Sequence, residues 1–384
     1  MTQLLPLGEV AQINPATPVA AAPDDFCSFV PMDAVDETSA SISKLYARPY
    51  RDVAKGYTTF SENDVLLAKI TPCMENGKCA IARGLRGGIG FGTTEFHVVR
   101  ASPKVLPEWI YFFWRLPQTR LHAERNMTGS AGQKRVPVGF LEELSIPVPS
   151  LDEQERYIKL LTNADRLTRT RRYALQLCDE FRATSFHDRL AAVVTMPTLL
   201  IDLCTKITDG VHITPTYVRD GVPFLRVTDV QDDRIDWDNV KRIPQEEYDL
   251  ITRRTKPARG DILYSKNGTI GVAKEITWDV PFAHFVSLAL LKPRRELIHS
   301  TFLTEWLNTP EALKQATRHS KTGTVTNLHL NEIEQILVPL PTGPDQERLV
   351  TLIKQSWGLR STHVEALRQA DHLFQTLLHD AFAR

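Results

Sequence analysis

LSIPVPSLDEQERYIKLL, Leu144 to Leu161, is matched 192 residues later by ILVPLPTGPDQERLVTLI, Ile336 to Ile353. Pro147 falls on Pro339, Pro149 on Pro341, Gln154 on Gln346, Glu155 on Glu347 and Arg156 on Arg348. In both copies a short apolar segment closes on Pro-x-Pro, and an acidic residue with Gln-Glu-Arg then opens a helical pattern. The offset is half of the 384 residues, so the chain is a tandem duplication. Whatever it does is done twice.

Downstream of the first junction, Leu151 to Met196 holds neither proline nor glycine, which predicts one long helix. Leu160, Leu167, Ala174 and Phe181 recur every seven residues, with Ala164 and Cys178 on the intervening row. The second copy keeps that register in Leu352, Leu359, Ala366 and Leu373, with Ala370 and Leu377 beside them. Helices of about 40 residues would each run about 60 Å. Two matching heptad seams invite pairing as a coiled coil, although Arg171 and His363 intrude.

Upstream lies an α+β body. CSFVPMDAV, DVLLAKI (Asp64 to Ile70), KCAIA and TEFHVV read as strands, and WIYFFWRL (Trp109 to Leu116) reads as a helix. MTGSAGQKRVP (Met127 to Pro137) is a glycine-bearing basic loop. Gly84 to Gly92 lacks the strand–loop–helix frame of a dinucleotide site and reads as a hairpin turn. In the second half GDILYSK restates NDVLLAK, and SKTGTVTNLHLNEIEQILVPLP restates GSAGQKRVPVGFLEELSIPVP. Between those points identity is low. A repeated scaffold with diverged surfaces suits one job on two targets. The reading gives domains 1–150 and 197–343, with helices 151–196 and 344–384 after them.

Composition excludes little. Lys plus Arg and Asp plus Glu are 46 each, so any basic face must be local. No run is long and apolar enough for a membrane span, and the N-terminus lacks a basic n-region and apolar h-region, which predicts a cytoplasmic protein. Five cysteines without a Cys-x2-Cys spacing read as reduced thiols rather than a metal site.

With these motifs in hand, the chain resembles the specificity (S) subunits of type I restriction–modification enzymes. The resemblance spans the whole chain and rests on the junction Leu141 to Gln154, its copy through Gln346, the NDVLLAK and GDILYSK strands and the two long helices. It implies two similar target recognition domains, β-rich with peripheral helices, separated by long helices paired as an antiparallel coiled coil, with pseudo-two-fold symmetry. It further implies that each domain reads one half of a bipartite DNA target, while the helices set the spacing and dock two methyltransferase subunits. Restriction subunits join through those. The S subunit itself would be non-catalytic and cofactor-free, with S-adenosylmethionine on the partner methyltransferases.

The residues agree. Asn14-Pro15 is followed by Ala rather than the Pro-aromatic of an amino-methyltransferase. Asp64 with Lys69 and Asp261 with Lys266 approach a nuclease pattern, but their recurrence at a strand start reads as a turn and solvated strand end. DNA contact requires Arg, Lys, Asn or Gln at base edges and phosphates. In the first half Ser130, Gln133, Lys134 and Arg135 qualify, with Arg83 and Arg86 behind them. In the second, Lys321, Thr322, Thr324, Thr326 and Asn327 occupy the corresponding loop, with Lys266, Asn267 and Thr269 near the DILYSK strand. Arg253, Arg254, Lys256 and Arg259 form the densest basic run. The alternative is a coiled-coil protein–protein scaffold with no DNA role.

Overall fold

The computed structural model describes residues 2–231, 234–253, 255–318 and 327–383. It divides into two compact units, Met1–Ala174 with His363–Arg384, and Leu175–Thr362.

The first unit opens with β1 (Gln3–Pro6), α1 (Leu7–Val10), β2 (Ala11–Ile13), β3 (Phe26–Val30), β4 (Val35–Asp36) and β5 (Ser41–Ile42). Next come β6 (Tyr46–Pro49), α2 (Tyr50–Val53), β7 (Thr58–Ser61), β8 (Val65–Ala68), β9 (Cys79–Ile81), β10 (Ile89–Gly92) and β11 (Phe96–Ala101). They build two four-stranded sheets, ordered β2-β11-β8-β9 and β6-β3-β10-β7. After α3 (Pro107–Trp114), α4 (Pro117–Arg125) and α5 (Val138–Glu143), β12 (Ser145–Val148) returns antiparallel to β1, and α6 (Leu151–Ala191) leaves. The apolar run of β8 is buried on both faces. Val65 and Leu67 join the α3 aromatics in one core, and Leu66 joins Val30 and Phe60 of the second sheet in another.

The second unit repeats this plan. It contains β13 (Thr195–Leu199), β14 (Cys204–Asp209), β15 (Val222–Leu225), α7 (Val227–Val230), β16 (Arg242–Ile243), α8 (Gln245–Thr252), β17 (Ile262–Ser265) and β18 (Ala273–Glu275). Then follow β19 (Ala283–His284), β20 (Leu288–Pro293), α9 (Ser300–Leu307), α10 (Pro310–Thr317), α11 (Leu330–Glu334), β21 (Leu337–Pro341) and α12 (Gly343–Phe382), whose turns from His363 onward belong to the first unit. The sheets are β14-β20-β17-β18 and β16-β15-β19, and β13 pairs antiparallel with β21 as β1 does with β12. Among the described residues no helix is long and apolar enough to cross a membrane.

The repeated junction has a physical reason. Gln154 is fully buried; its amide donates to Lys104 O at 3.1 Å and Pro149 O at 3.0 Å, and its carbonyl accepts from Leu106 N at 2.9 Å. Gln346 makes the same set, to Leu297 O at 2.9 Å, Pro341 O at 3.1 Å and from His299 N at 2.9 Å. Each glutamine therefore ties the start of a long helix to the loop that enters α3 or α9. A side chain with both donor and acceptor arms is needed, so the position reads Gln twice.

The strand-start carboxylates differ from the sequence expectation of solvated ends. Asp64 is buried, accepts from Ser61 N at 2.7 Å and holds Arg100 through two bonds of 2.8 and 2.7 Å. Asp261 is buried, accepts from Ala258 N at 2.9 Å and meets Lys292 Nζ at 2.5 Å. These are duplicated internal ion pairs. The glycine stretch 84–92 also departs from a simple hairpin, since its last four residues are β10. There a Cβ on Gly90 would fall 2.2 Å from the Phe60 ring, so a bare strand is what lets the sheet close.

The long helices differ from expectation in extent and in packing face. The first ends at Ala191 rather than Met196, because the β-branched run Val193-Val194-Thr195 feeds β13, which pairs with β21. The seam also lies one residue beyond the leucine row. Leu160, Leu167 and Leu373 are exposed, Phe181 is 57% and Leu359 48% exposed, while Ala174, Leu352 and Ala366 are only half-buried. The buried row is Gln154, Leu161 and Thr168 on α6 and Gln346, Ile353, Phe374 and Ala381 on α12. In the first unit Leu161 and Ala164 share a core with Phe374, Leu378 and Phe382; in the second, Phe186 and Leu190 share one with Leu349, Val350 and Ile353. The early turns of α6 thus pack with the late turns of α12, and the late with the early, which is antiparallel pairing.

Polar groups hold this seam, which is why apolarity chose the wrong row. Asp165 takes Arg115 at 2.8 Å and Arg169 at 2.5 Å, and the Arg115 guanidinium lies 4.6 Å from the Phe374 ring centroid. In the second unit Arg182 pairs with buried Glu305 and stacks 4.5 Å from the Trp357 ring centroid, and Arg360 pairs with Asp179 at 2.5 Å. Burial pushes the Glu305 carboxyl up against the pull of Arg182.

Candidate nucleic-acid interface

Sheet β2-β11-β8-β9 and its counterpart β14-β20-β17-β18 each present one end where the chain returns to an inner strand, β8 or β17. In the first half Thr71 N donates to Lys134 O at 3.0 Å and Val136 N to Lys69 O at 2.9 Å, so loop 128–136 is laced to the residues after β8. Thr128 and Arg135 exchange backbone bonds of 3.0 and 2.8 Å, and Gly129 and Gly132 take the positive φ values, 120° and 77°, that close the tip. Ser130, Gln133 and Lys134 stand exposed on that tip.

Arg135 is not free. Its guanidinium forks onto Glu95 at 2.8 and 3.0 Å, and this pairing holds the Glu95 carboxyl below its usual range. Beneath it, His97 Nε2 lies 2.8 Å from Val136 O and Nδ1 lies 3.1 Å from the Asn14 amide. With Nε2–H donating to the carbonyl, Nδ1 accepts, and burial keeps this neutral imidazole's pKa below the ordinary value.

In the second half Leu328 N donates to Lys266 O at 2.8 Å, and Asn267 bridges Asn327, so residues 327–328 return to the end of β17. Thr269 accepts from Gln231 at 2.8 Å across the Gly268 turn. Lys266 is only 5% exposed and its ammonium sits 3.0 Å from Asp209, which withdraws it from the surface and corrects its reading as a solvent-facing cation. Lys321, Thr322, Thr324, Thr326 and Arg254 lie outside the described residues.

The remaining basic candidates are elsewhere. Arg83 pairs with Glu108 just beyond β9, and Arg86 precedes β10, so both stand at the opposite end of the first sheets from loop 128–136. Arg253 closes α8, and Lys256 O holds Lys292 Nζ beside Asp261 at the start of β17, again away from Asn267. The structure therefore gathers Ser130, Gln133, Lys134 and Arg135 in one half and Asn267, Thr269 and Asn327 in the other. Glu95, His97 and Asp209, which fasten these loops, escaped the sequence reading. Their signal was weak, because a carboxylate or imidazole on a strand has no motif until its partner is known.

The family described as Type I restriction modification DNA specificity domain matches residues 5–176. Among relatives of this domain, the specificity subunit of the type I restriction enzyme EcoAI of Escherichia coli is 38% identical over 195 residues, 50% of this chain and 31% of that one. The EcoEI specificity subunit, also of Escherichia coli, is 42% identical over 166 residues, 42% of this chain and 28% of its own. The chain thus spans about a third of the curated relatives it matches. The fold likeness reaches further. A type I restriction–modification S subunit from M. genitalium superposes with a TM-score of 0.61 at 12% identity, covering 100% of this chain and 96% of that chain. A chain from a structure on complex assembly and conformational transition of the type I R-M system gives 0.56 at 19% identity, covering 99% and 97%. The chain therefore has the fold of these structures along its whole length.

Proposed function

We propose that the chain is the DNA sequence-specificity subunit of a type I restriction–modification complex. Residues 1–150 and 197–343 each read one half of a bipartite target in double-stranded DNA, through the loops that return to the ends of β8 and β17. The observation that carries this reading is the specificity-domain match over residues 5–176, together with the strand-end hydrogen bond Val136 N to Lys69 O and its counterpart Leu328 N to Lys266 O in the second half. The long helices set the gap between the half-targets and dock two methyltransferase subunits, with restriction subunits joining through them. Exposed Leu160, Leu167, Phe181 and Leu359, which the helix seams leave in solvent, support docking along those helices. Base chemistry belongs to the partner subunits with their S-adenosylmethionine, and this chain contributes recognition. The test is a methylome of cells carrying the chain with its methyltransferase. A bipartite motif that disappears when the chain is deleted is expected; methylation that persists without it, or a motif of a single block, refutes the proposal.

A further inference from the structure

KLYARPYRDVAKGY, Lys44 to Tyr57, interleaves four cations and three tyrosines with a single carboxylate, Asp52. The strand registers say where it lies. Tyr46 of β6 sits opposite Phe29 of β3, the next residue of β3, Val30, sits opposite Gly92 of β10, and Thr58 of β7 sits opposite that same Gly92. Gly92 leads through Thr93 and Thr94 into Glu95, the carboxylate that holds Arg135. The starts of β6 and β7 therefore emerge at the end of the first domain where loop 128–136 is anchored.

The side chains there are fixed yet open. Tyr57 packs edge-on against Phe29 at 5.1 Å and 89° and remains 37% exposed. Tyr46 is 38% exposed, with Lys44 Nζ 4.7 Å from its ring centroid. Lys44 and Lys55 are exposed, and neither has a carboxylate partner among the described residues. Arg135, by contrast, is committed to Glu95. In the second half, Tyr217 meets Phe224 of β15 edge-on at 6.3 Å, is 43% exposed and has Lys241 Nζ 5.8 Å from its ring centroid, while α8, which follows β16 as α2 follows β6, carries Glu246, Glu247 and Asp249.

We infer that Lys44, Tyr46, Lys55 and Tyr57 form a second DNA-contacting wall of the first domain that grips backbone phosphates beside the bases faced by loop 128–136. This rests on the DNA-reading function proposed above. Ammonium groups without carboxylate partners supply the charge, and Tyr57, braced on Phe29, supplies a hydroxyl at little entropic cost. Such contacts set affinity and register without reading sequence.

The test uses the complex assembled with its methyltransferase subunits and a duplex carrying its methylated motif. Losing two phosphate contacts in the double variant Lys44→Gln/Lys55→Gln is expected to flatten the log–log salt dependence of binding by about 1.8, at about 0.9 per phosphate. The motif stays unchanged. Tyr57→Phe, which keeps the ring on Phe29, is expected to weaken binding at every salt concentration without altering the motif. A wild-type slope in the double variant overturns the wall. So does a loss of subunit assembly at an unchanged melting temperature, which would make the patch a protein interface. Gln133→Ala/Lys134→Gln separates the two levels. If it alters the motif or the affinity while the wall variant does not, only the wall falls; if both are silent, reading from this end of the domain falls as well.

Discussion

Gln154 and Gln346 each satisfy three backbone groups, and the bonds to Pro149 O and Pro341 O are fully buried. Unpaired buried amides and carbonyls cost about 1–3 kcal/mol apiece. Gln154→Ala is therefore expected to destabilise the first unit by about 2–4 kcal/mol, with faster amide exchange at Leu106 as the readout; Gln346→Ala does the same at His299 in the second. His97 gives a prediction in pH. Its folded pKa is lowered, so the neutral imidazole is the form the fold favours. That stabilisation is complete above the unfolded histidine value of about 6.5 and is lost as pH falls through the lower folded value. A protonated Nδ1 would point a second donor at the Asn14 amide, so exchange in residues 128–136, corrected for intrinsic rate, is expected to accelerate on acidification in the wild type and to lose that extra dependence in His97→Gln. The repeated glutamine was legible in sequence as a marker, but its reason was not. Its partners are main-chain atoms of a loop that no spacing rule connects to it.

The long helices were legible as elements, from their freedom from proline and glycine, while their packing face was not. Heptad reading ranks positions by apolarity, and here Gln154, Asp165 and Arg182 occupy inward-facing sites that a hydrophobic template passes over. Each is matched by a group on another element, and that matching is a tertiary fact. The consequence is testable at Asp165. Asp165→Ala leaves Arg115 largely buried without its carboxylate, which is expected to cost about 3–5 kcal/mol, seen as a lowered denaturation midpoint with an unchanged slope. Leu160→Ala, on the exposed row, is expected to leave the midpoint within about 0.5 kcal/mol of the wild type. Strands followed the same division: β8 and β17 were plain from DVLLAK and DILYSK, whereas β10 hid in a glycine run whose purpose is to admit the Phe60 ring.

At the scale of the molecule, one offset of 192 residues predicted the repeated architecture, because both halves must close the same ribbon, sheet and junction. The basic surface was less legible, since Arg83 and Arg253 stand close to the loops in composition but at the far ends of the strands in space. The proposed function is modular: two readers, each answering for its own half of one target. The most direct measurement exchanges residues 1–150 for the corresponding segment of another specificity subunit and sequences the methylated sites made by the hybrid complex. One half of the bipartite motif is expected to change while the other half and the gap between them stay the same. A hybrid that folds and methylates with both halves altered, or with neither, would contradict it.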